Sequence, residues 1–166
     1  MSQAGTGPLS VRQAGPKDAA ELSRVHVQSW RETYAGVLSD GFLAGLNPTA
    51  RLEMWQRILE GPRVADHWVA CEGERVVGFV GREYPDQQST GQPVLLWGLY
   101  VLQSHQGLGF GRKLLEAAVG DGPASLWVSA QNERAIAFYR RFRFQPDGAE
   151  DVIAEWENLK TIRMVR

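Results

Sequence analysis

The run His105-Gln106-Gly107-Leu108-Gly109-Phe110-Gly111-Arg112-Lys113 carries the strongest chemical signal in the chain. Three glycines at alternate positions remove side chains where a ligand must approach the main chain. The first amide hydrogens of a helix starting there have no partner inside it and point outward as anion donors. Arg112 and Lys113 fall in that first turn, where the helix dipole disfavours a cation by roughly 0.3–1 kcal/mol each. A bound polyanion reverses the penalty, so the run reads as a phosphate or diphosphate site. A tight turn whose glycines serve helix packing alone would show the same spacing. The run is neither Gly-x-x-x-x-Gly-Lys-Ser/Thr nor Gly-x-Gly-x-x-Gly, because Arg112 stands where the third glycine after Gly107 and Gly109 belongs. A nucleotide-binding reading therefore lacks its loop, and no pattern of Mg²⁺ ligands accompanies it.

Other reactive side chains read more plainly. Asn132, Ala135, Phe138, Tyr139 and Phe142 recur at spacings of three and four, which puts them on one side of a helix with Asn132 as N-cap. Read by itself, Tyr139 is a core aromatic in that stripe. Cys71 is the single cysteine and lies in a strand pattern, so it reads as a buried, inert thiol. His26, His67 and His105 show no metal-ligand spacing, and no metal is expected. His26 shares a helix face with Trp30 and Tyr34 and reads as packing between helix and sheet. Trp55 in a helix pattern and Trp68, Trp97 and Trp127 in strand patterns read as core rather than as a nucleic-acid or carbohydrate surface.

The elements that position these residues follow from periodicity and punctuation. A short strand near 9–13 precedes Gly15-Pro16 and a helix over 19–34, then short helices over 38–46 and 50–59. The period then shifts to two: strands over 64–71 and 76–82 join through a turn at 72–75. Residues 85–93 are polar and turn-rich, the most loop-like stretch of the chain. The apolar run 94–101 reads as a strand covered on both faces, and Gly98 within it marks a bulge or a close backbone approach. A helix over 108–119, a strand over 126–130, a helix over 132–142 and strands within 144–146 and 152–165 complete the order. One mixed sheet with helices on both faces is the simplest architecture.

Taken together, Gln106-x-x-Gly109-x-Gly111 and, about twenty residues further on, Asn132-x-x-Ala135-x-x-Phe138-Tyr139 resemble the GNAT superfamily of acyl-CoA-dependent N-acetyltransferases. The likeness is clear over 76–144, and the order of elements fits throughout. It implies an α/β (α+β) fold with a single mixed, mostly antiparallel, twisted sheet of about seven strands. It implies acetyl-CoA as co-substrate, with Leu99, Val101, Gln106, Gly107, Leu108, Gly109, Gly111, Arg112, Asn132 and Tyr139 in contact with it. The amide of Val101 would polarise the thioester carbonyl, and Tyr139 would act as general acid to the departing thiolate, by direct attack without a covalent enzyme intermediate. The base is open; Glu83 is the leading candidate beside Glu32, Asp40, Glu155 and Glu157. The acceptor is an amine, either a small molecule or a peptide, and a homodimer is implied by analogy alone. A non-catalytic acetyl-CoA sensor or interaction module is the alternative. The family usually has Gly-Phe where Arg143-Phe144 stands, so Arg143 is expected to carry the strain of a left-handed helix end, roughly 1–2 kcal/mol.

Composition bounds these readings. The 166 residues are 43% hydrophobic and 22% charged, which is ordinary for one globular domain. A loose tail over 1–8 and a single domain over 9–166 are expected. Eighteen Lys and Arg against nineteen Asp and Glu leave no global positive field for nucleic acid. The N-terminal residues lack the apolar segment of a signal peptide, and no run is long enough to span a membrane. The expectation is a reduced, cytoplasmic protein acting without membrane or nucleic acid.

Overall fold

The computed structural model describes residues 7–85 and 93–166, so most of the expected loop at 85–93 and of the tail at 1–8 lies outside the described residues. The chain runs β1 (Leu9–Gln13), α1 (Ala19–Thr33), α2 (Asp40–Ala44), α3 (Pro48–Glu60), β2 (His67–Glu72), β3 (Arg75–Glu83), β4 (Leu95–Val101), α4 (Phe110–Val119), β5 (Ser125–Ser129), α5 (Glu133–Arg141), β6 (Gln145–Ile153) and β7 (Leu159–Val165). The strands form one sheet in the order β1-β2-β3-β4-β5-β7-β6. Only β4 and β5 are parallel; every other neighbouring pair is antiparallel. The mixed, mostly antiparallel sheet of about seven strands implied by the resemblance is the sheet observed.

Helices cover both faces. Leu22, Val25, His26 and Trp30 form the buried stripe of α1, and His26 meets Phe79 of β3 and Trp97 of β4 on that face. Trp55 of α3 joins the same contact, at 5.0 Å from Phe79. On the other face Arg82 of β3 donates to the Ala118 carbonyl of α4 at 2.7 Å and lies over Trp68. Leu114, Leu115 and Ala118 of α4 are fully buried against the sheet. Burying a leucine side chain of this kind contributes about 1.5–3 kcal/mol.

Three boundaries differ from the sequence reading. Residues 64–66, read as the start of a strand, belong to a 3₁₀ turn over Pro62–Asp66, because Pro62 sets a helical φ. The helix read from 108 starts at Phe110, since Gly107 and Gly109 take positive φ of 80° and 89°. β6 is longer than read and continuous across 147–151. It is an edge strand exposed over nearly its whole length, so no apolar alternation marks it. Trp127 is also 40% exposed, with Arg163 against its ring, not in the core.

Candidate functional site

β4 and β5 form a fork. They pair only at Leu95 with Ser125 and Leu96 with Leu126, and then separate. A bulge in β4 accompanies the separation: Gly81 pairs with Gly98 and Arg82 with Leu96, leaving Trp97 as the extra residue. A Cβ on Gly81 would overlap the Trp97 indole, so glycine there makes room for the bulge. The bulge brings Trp97 and Tyr100, three residues apart, to the same face, where both meet His26. The Leu102 N–H donates to the Val77 carbonyl at 2.9 Å, which sets the alternation along β4. The main-chain groups of Leu99 and Val101 therefore point away from β3 and into the fork. The Gln106 side-chain amide donates to the Val101 carbonyl at 3.0 Å, leaving the Val101 N–H and both groups of Leu99 unpaired among the described residues.

The glycine loop closes the open end of this fork. No main-chain N–H from Gly107 through Arg112 has a partner among the described residues; the first bond of the helix is Lys113 N–H to Gly109 carbonyl at 3.2 Å. The three glycines divide their tasks. Gly107 and Gly109 have open space where a Cβ would stand, so they are required by their positive φ and leave the loop uncovered. Gly111 is required by packing, since a Cβ there would come within 3.0 Å of the Phe138 ring on α5. Leu108 is exposed beside the loop. The Arg112 guanidinium lies against Glu116 at 2.8 Å on the surface, a pair of little energetic weight. An anion seated on the loop amides would compete for that arginine.

Asn132 caps α5, its Oδ1 accepting the Ala135 N–H at 3.1 Å. At the other end the Arg143 N–H donates to Arg140 and the Phe144 N–H to Tyr139, both at 3.1 Å. These are the two bonds of a Schellman motif, with Arg143 in its left-handed position at φ 71°. Tyr139 is 8% exposed. Its hydroxyl has no hydrogen-bond partner among the described residues. Burial, with the Tyr34 phenol nearby, pushes its pKa well above the ordinary value and keeps the proton on the ring.

A wall of aromatic side chains faces the fork from α1. The Tyr34 and Tyr100 hydroxyls are 3.4 Å apart, and burial raises both phenols. Trp30 packs on Tyr34 and, edge to face at 4.5 Å, on Trp156 in the turn between β6 and β7. That turn carries Glu157 and Asn158 in left-handed conformation. The Glu157 carboxylate accepts the Ser39 N–H at 2.6 Å and its hydroxyl at 2.7 Å, which lowers its pKa and ties the turn to the start of α2. Behind the wall, the Trp55 indole donates to His26 Nδ1 at 3.2 Å and the Trp97 indole to His67 Nε2 at 3.0 Å. His67 Nδ1 then donates to the Arg63 carbonyl at 2.9 Å. Burial depresses both imidazoles, His26 to about 3, so both are neutral packing groups.

The structure brings Leu99, Val101, Gln106 and the glycine loop together along one edge. Glu83 stands elsewhere. It pairs with Leu95 at the closed end of the fork, and its carboxylate faces Arg63 at 3.3 Å. Val101 lies six positions beyond Leu95, about 20 Å along the strand. No described contact joins Glu83 to the tyrosines. Glu32, another base candidate, accepts the Gln103 N–H at 3.1 Å. Sequence reasoning missed Tyr100 and Trp156 as part of the wall. Tyr100 depends on a one-residue bulge, and Trp156 on a turn between strands that carried no readable pattern.

Comparison with known proteins agrees with this geometry. The model of the Acetyltransferase (GNAT) family matches residues 27–144. The uncharacterized N-acetyltransferase YuaI of Bacillus subtilis (strain 168) is 32% identical over 141 residues, covering 81% of this chain and 79% of that protein. The probable N-acetyltransferase Rv2775 of Mycobacterium tuberculosis is 26% identical over 149 residues, covering 84% and 82%. The crystal structure of PaiA N-acetyltransferase from Thermoplasma acidophilum in complex with coenzyme A superposes with a TM-score of 0.69 at 16% identity, over 94% of this chain and 98% of that one. With the fork, the glycine loop and the family match over the same residues, this chain belongs to the GNAT family of acetyltransferases.

Proposed function

We propose that the protein transfers an acetyl group from acetyl-CoA to an amine by direct attack, with Tyr139 as general acid. The observation that carries the reading is the continuous unpaired main-chain edge, from the amides of Gly107 to Arg112 along Val101 and Leu99, ending among buried tyrosines. The loop amides and the α4 dipole suit a diphosphate. The free groups of Leu99 and Val101 suit the amide-bearing arm of CoA, as a strand edge accepts a peptide-like partner. PaiA, which shares the fold, was crystallised with CoA.

The residues then divide the chemistry. The main-chain N–H of Val101 donates to the thioester oxygen and stabilises charge as it develops. Gln106 acts through Val101, holding its carbonyl so that the N–H faces the fork. The amine nitrogen bonds to the acetyl carbon, the carbon–sulfur bond breaks, and Tyr139 delivers its proton to the sulfur. The proton shed by nitrogen restores the phenol, so the balance is one proton moved from nitrogen to sulfur. Burial keeps Tyr139 protonated at neutral pH. It also desolvates the departing thiolate, which raises the thiolate's affinity for that proton. Cys71 is buried, with its pKa raised by desolvation, and takes no part as nucleophile.

Calorimetric titration with acetyl-CoA, CoA and ATP tests the cofactor half of this reading. Micromolar binding of both CoA species without ATP is expected. Absence of CoA binding would overturn it and leave the likeness one of fold. Release of free CoA thiol with an amine panel then separates an enzyme from a binding module.

A further inference from the structure

We infer that the acceptor amine carries a carboxylate, bound by Arg51 of α3 at the aromatic wall of the fork. The inference names the acceptor class and rests on the acetyl-transfer reading. Arg51 is partly buried, and its guanidinium lies over the Trp30 ring at 5.2 Å. Its one polar contact among the described residues is the Met54 sulfur at 4.0 Å. No described carboxylate lies within ion-pair distance, although most other arginines here that are as covered have one or bond to carbonyls. Desolvation of a charge without a partner is costly, and it lowers the Arg51 pKa. A ligand anion supplies what the protein omits.

The surroundings have the same polarity. Trp30 is 3% exposed, and its indole N–H, which can only donate, has no partner among the described residues. Tyr34 and Tyr100 share one hydrogen bond, leaving one hydroxyl hydrogen to give. His26 is neutral and its Nδ1 is taken by Trp55. Glu157, on the turn that carries Trp156, is committed to Ser39. The wall therefore offers the Arg51 guanidinium and a phenol hydrogen as donors, with the buried Trp30 N–H closed off from solvent. It fits a carboxylate and repels a polyamine or an aminoglycoside, whose cations would find no counter-charge. An amino acid-like molecule supplies both the nucleophilic amine and the anion.

The test uses matched probes: α-, β- and γ-amino acids, each as the free acid and as its primary amide. Binding is titrated on CoA-loaded protein, and turnover is followed with acetyl-CoA. At least one free acid should be preferred over its amide by about 30-fold or more in Kd or KM. Arg51→Gln should remove that preference by weakening the acid alone, leaving the amide within about threefold. The amide thus reports that the variant is folded, and Arg51→Lys should restore part of the preference. Equal handling of acid and amide, no binding of any acid, or an equal loss of both in Arg51→Gln would each overturn the inference. Failure to bind acetyl-CoA, read in a titration containing no acid, would instead remove the reading beneath it.

Discussion

The Phe144 N–H donates to the Tyr139 carbonyl at 3.1 Å while the two rings meet edge to face, their centroids 5.8 Å apart. This is the hydrophobic contact of a Schellman motif, and it fixes the proposed general acid through the end of its own helix. Phe144 is fully buried and is covered by the Arg166 guanidinium at 4.7 Å. Arg166 also donates to the carbonyls of Gly120, Gly122 and Phe142, placing a cation at the ends of α4 and α5. Positioning of Tyr139 is thus a property of the helix terminus as a whole.

The left-handed Arg143 in that motif stores strain that glycine would release. Arg143→Gly should raise stability by about 1 kcal/mol, the strain relieved less the entropy glycine adds to the unfolded chain. Urea denaturation measures it, and no gain would count against the strain.

Acid should weaken the fold through His26. Its folded pKa is about 3 and its unfolded pKa near the ordinary histidine value of 6.5. The unfolded state therefore takes up the proton first as pH falls. The stability this group contributes is present above about pH 6.5 and declines below it, by about 2 kcal/mol at pH 5. His67, also depressed, acts in the same direction. Unfolding free energies at pH 7 and pH 5 should show the loss, and His26→Gln should flatten the slope. A wild-type stability unchanged between those pH values would contradict a neutral buried His26.

Much of this was legible in the sequence because it is local. The glycine loop, the Asn132 cap, the Arg143 departure and the Tyr139 stripe each depend on residues close together in the chain. What escaped reading depends on pairing across it. The strand read at 94–101 showed Gly98 as a bulge signal, but that the bulge turns Tyr100 toward Tyr34 follows from its register against β3. Glu83 looked well placed by strand position alone; its distance along β4 is set by how that strand pairs. Arg51 gave no signal in a helix of ordinary charge pattern. Its isolation is a tertiary fact: among the described residues no carboxylate stands within ion-pair distance of it.

Glu83, paired with Arg63 at the closed end of the fork, is not expected to serve as base. Glu83→Gln should leave kcat within about threefold and its pH profile unchanged. A fall of about 100-fold, with loss of the acidic limb of the profile, would restore it to the mechanism.

The most direct test of the central claim is the kcat of Tyr139→Phe alongside its acetyl-CoA affinity. The ring, its contact with Phe144 and the main-chain edge survive the change; only the proton donor is lost. Turnover should fall by about 100-fold or more with the Kd for acetyl-CoA within about threefold. Unchanged turnover would contradict the account and reduce Tyr139 to a packing residue.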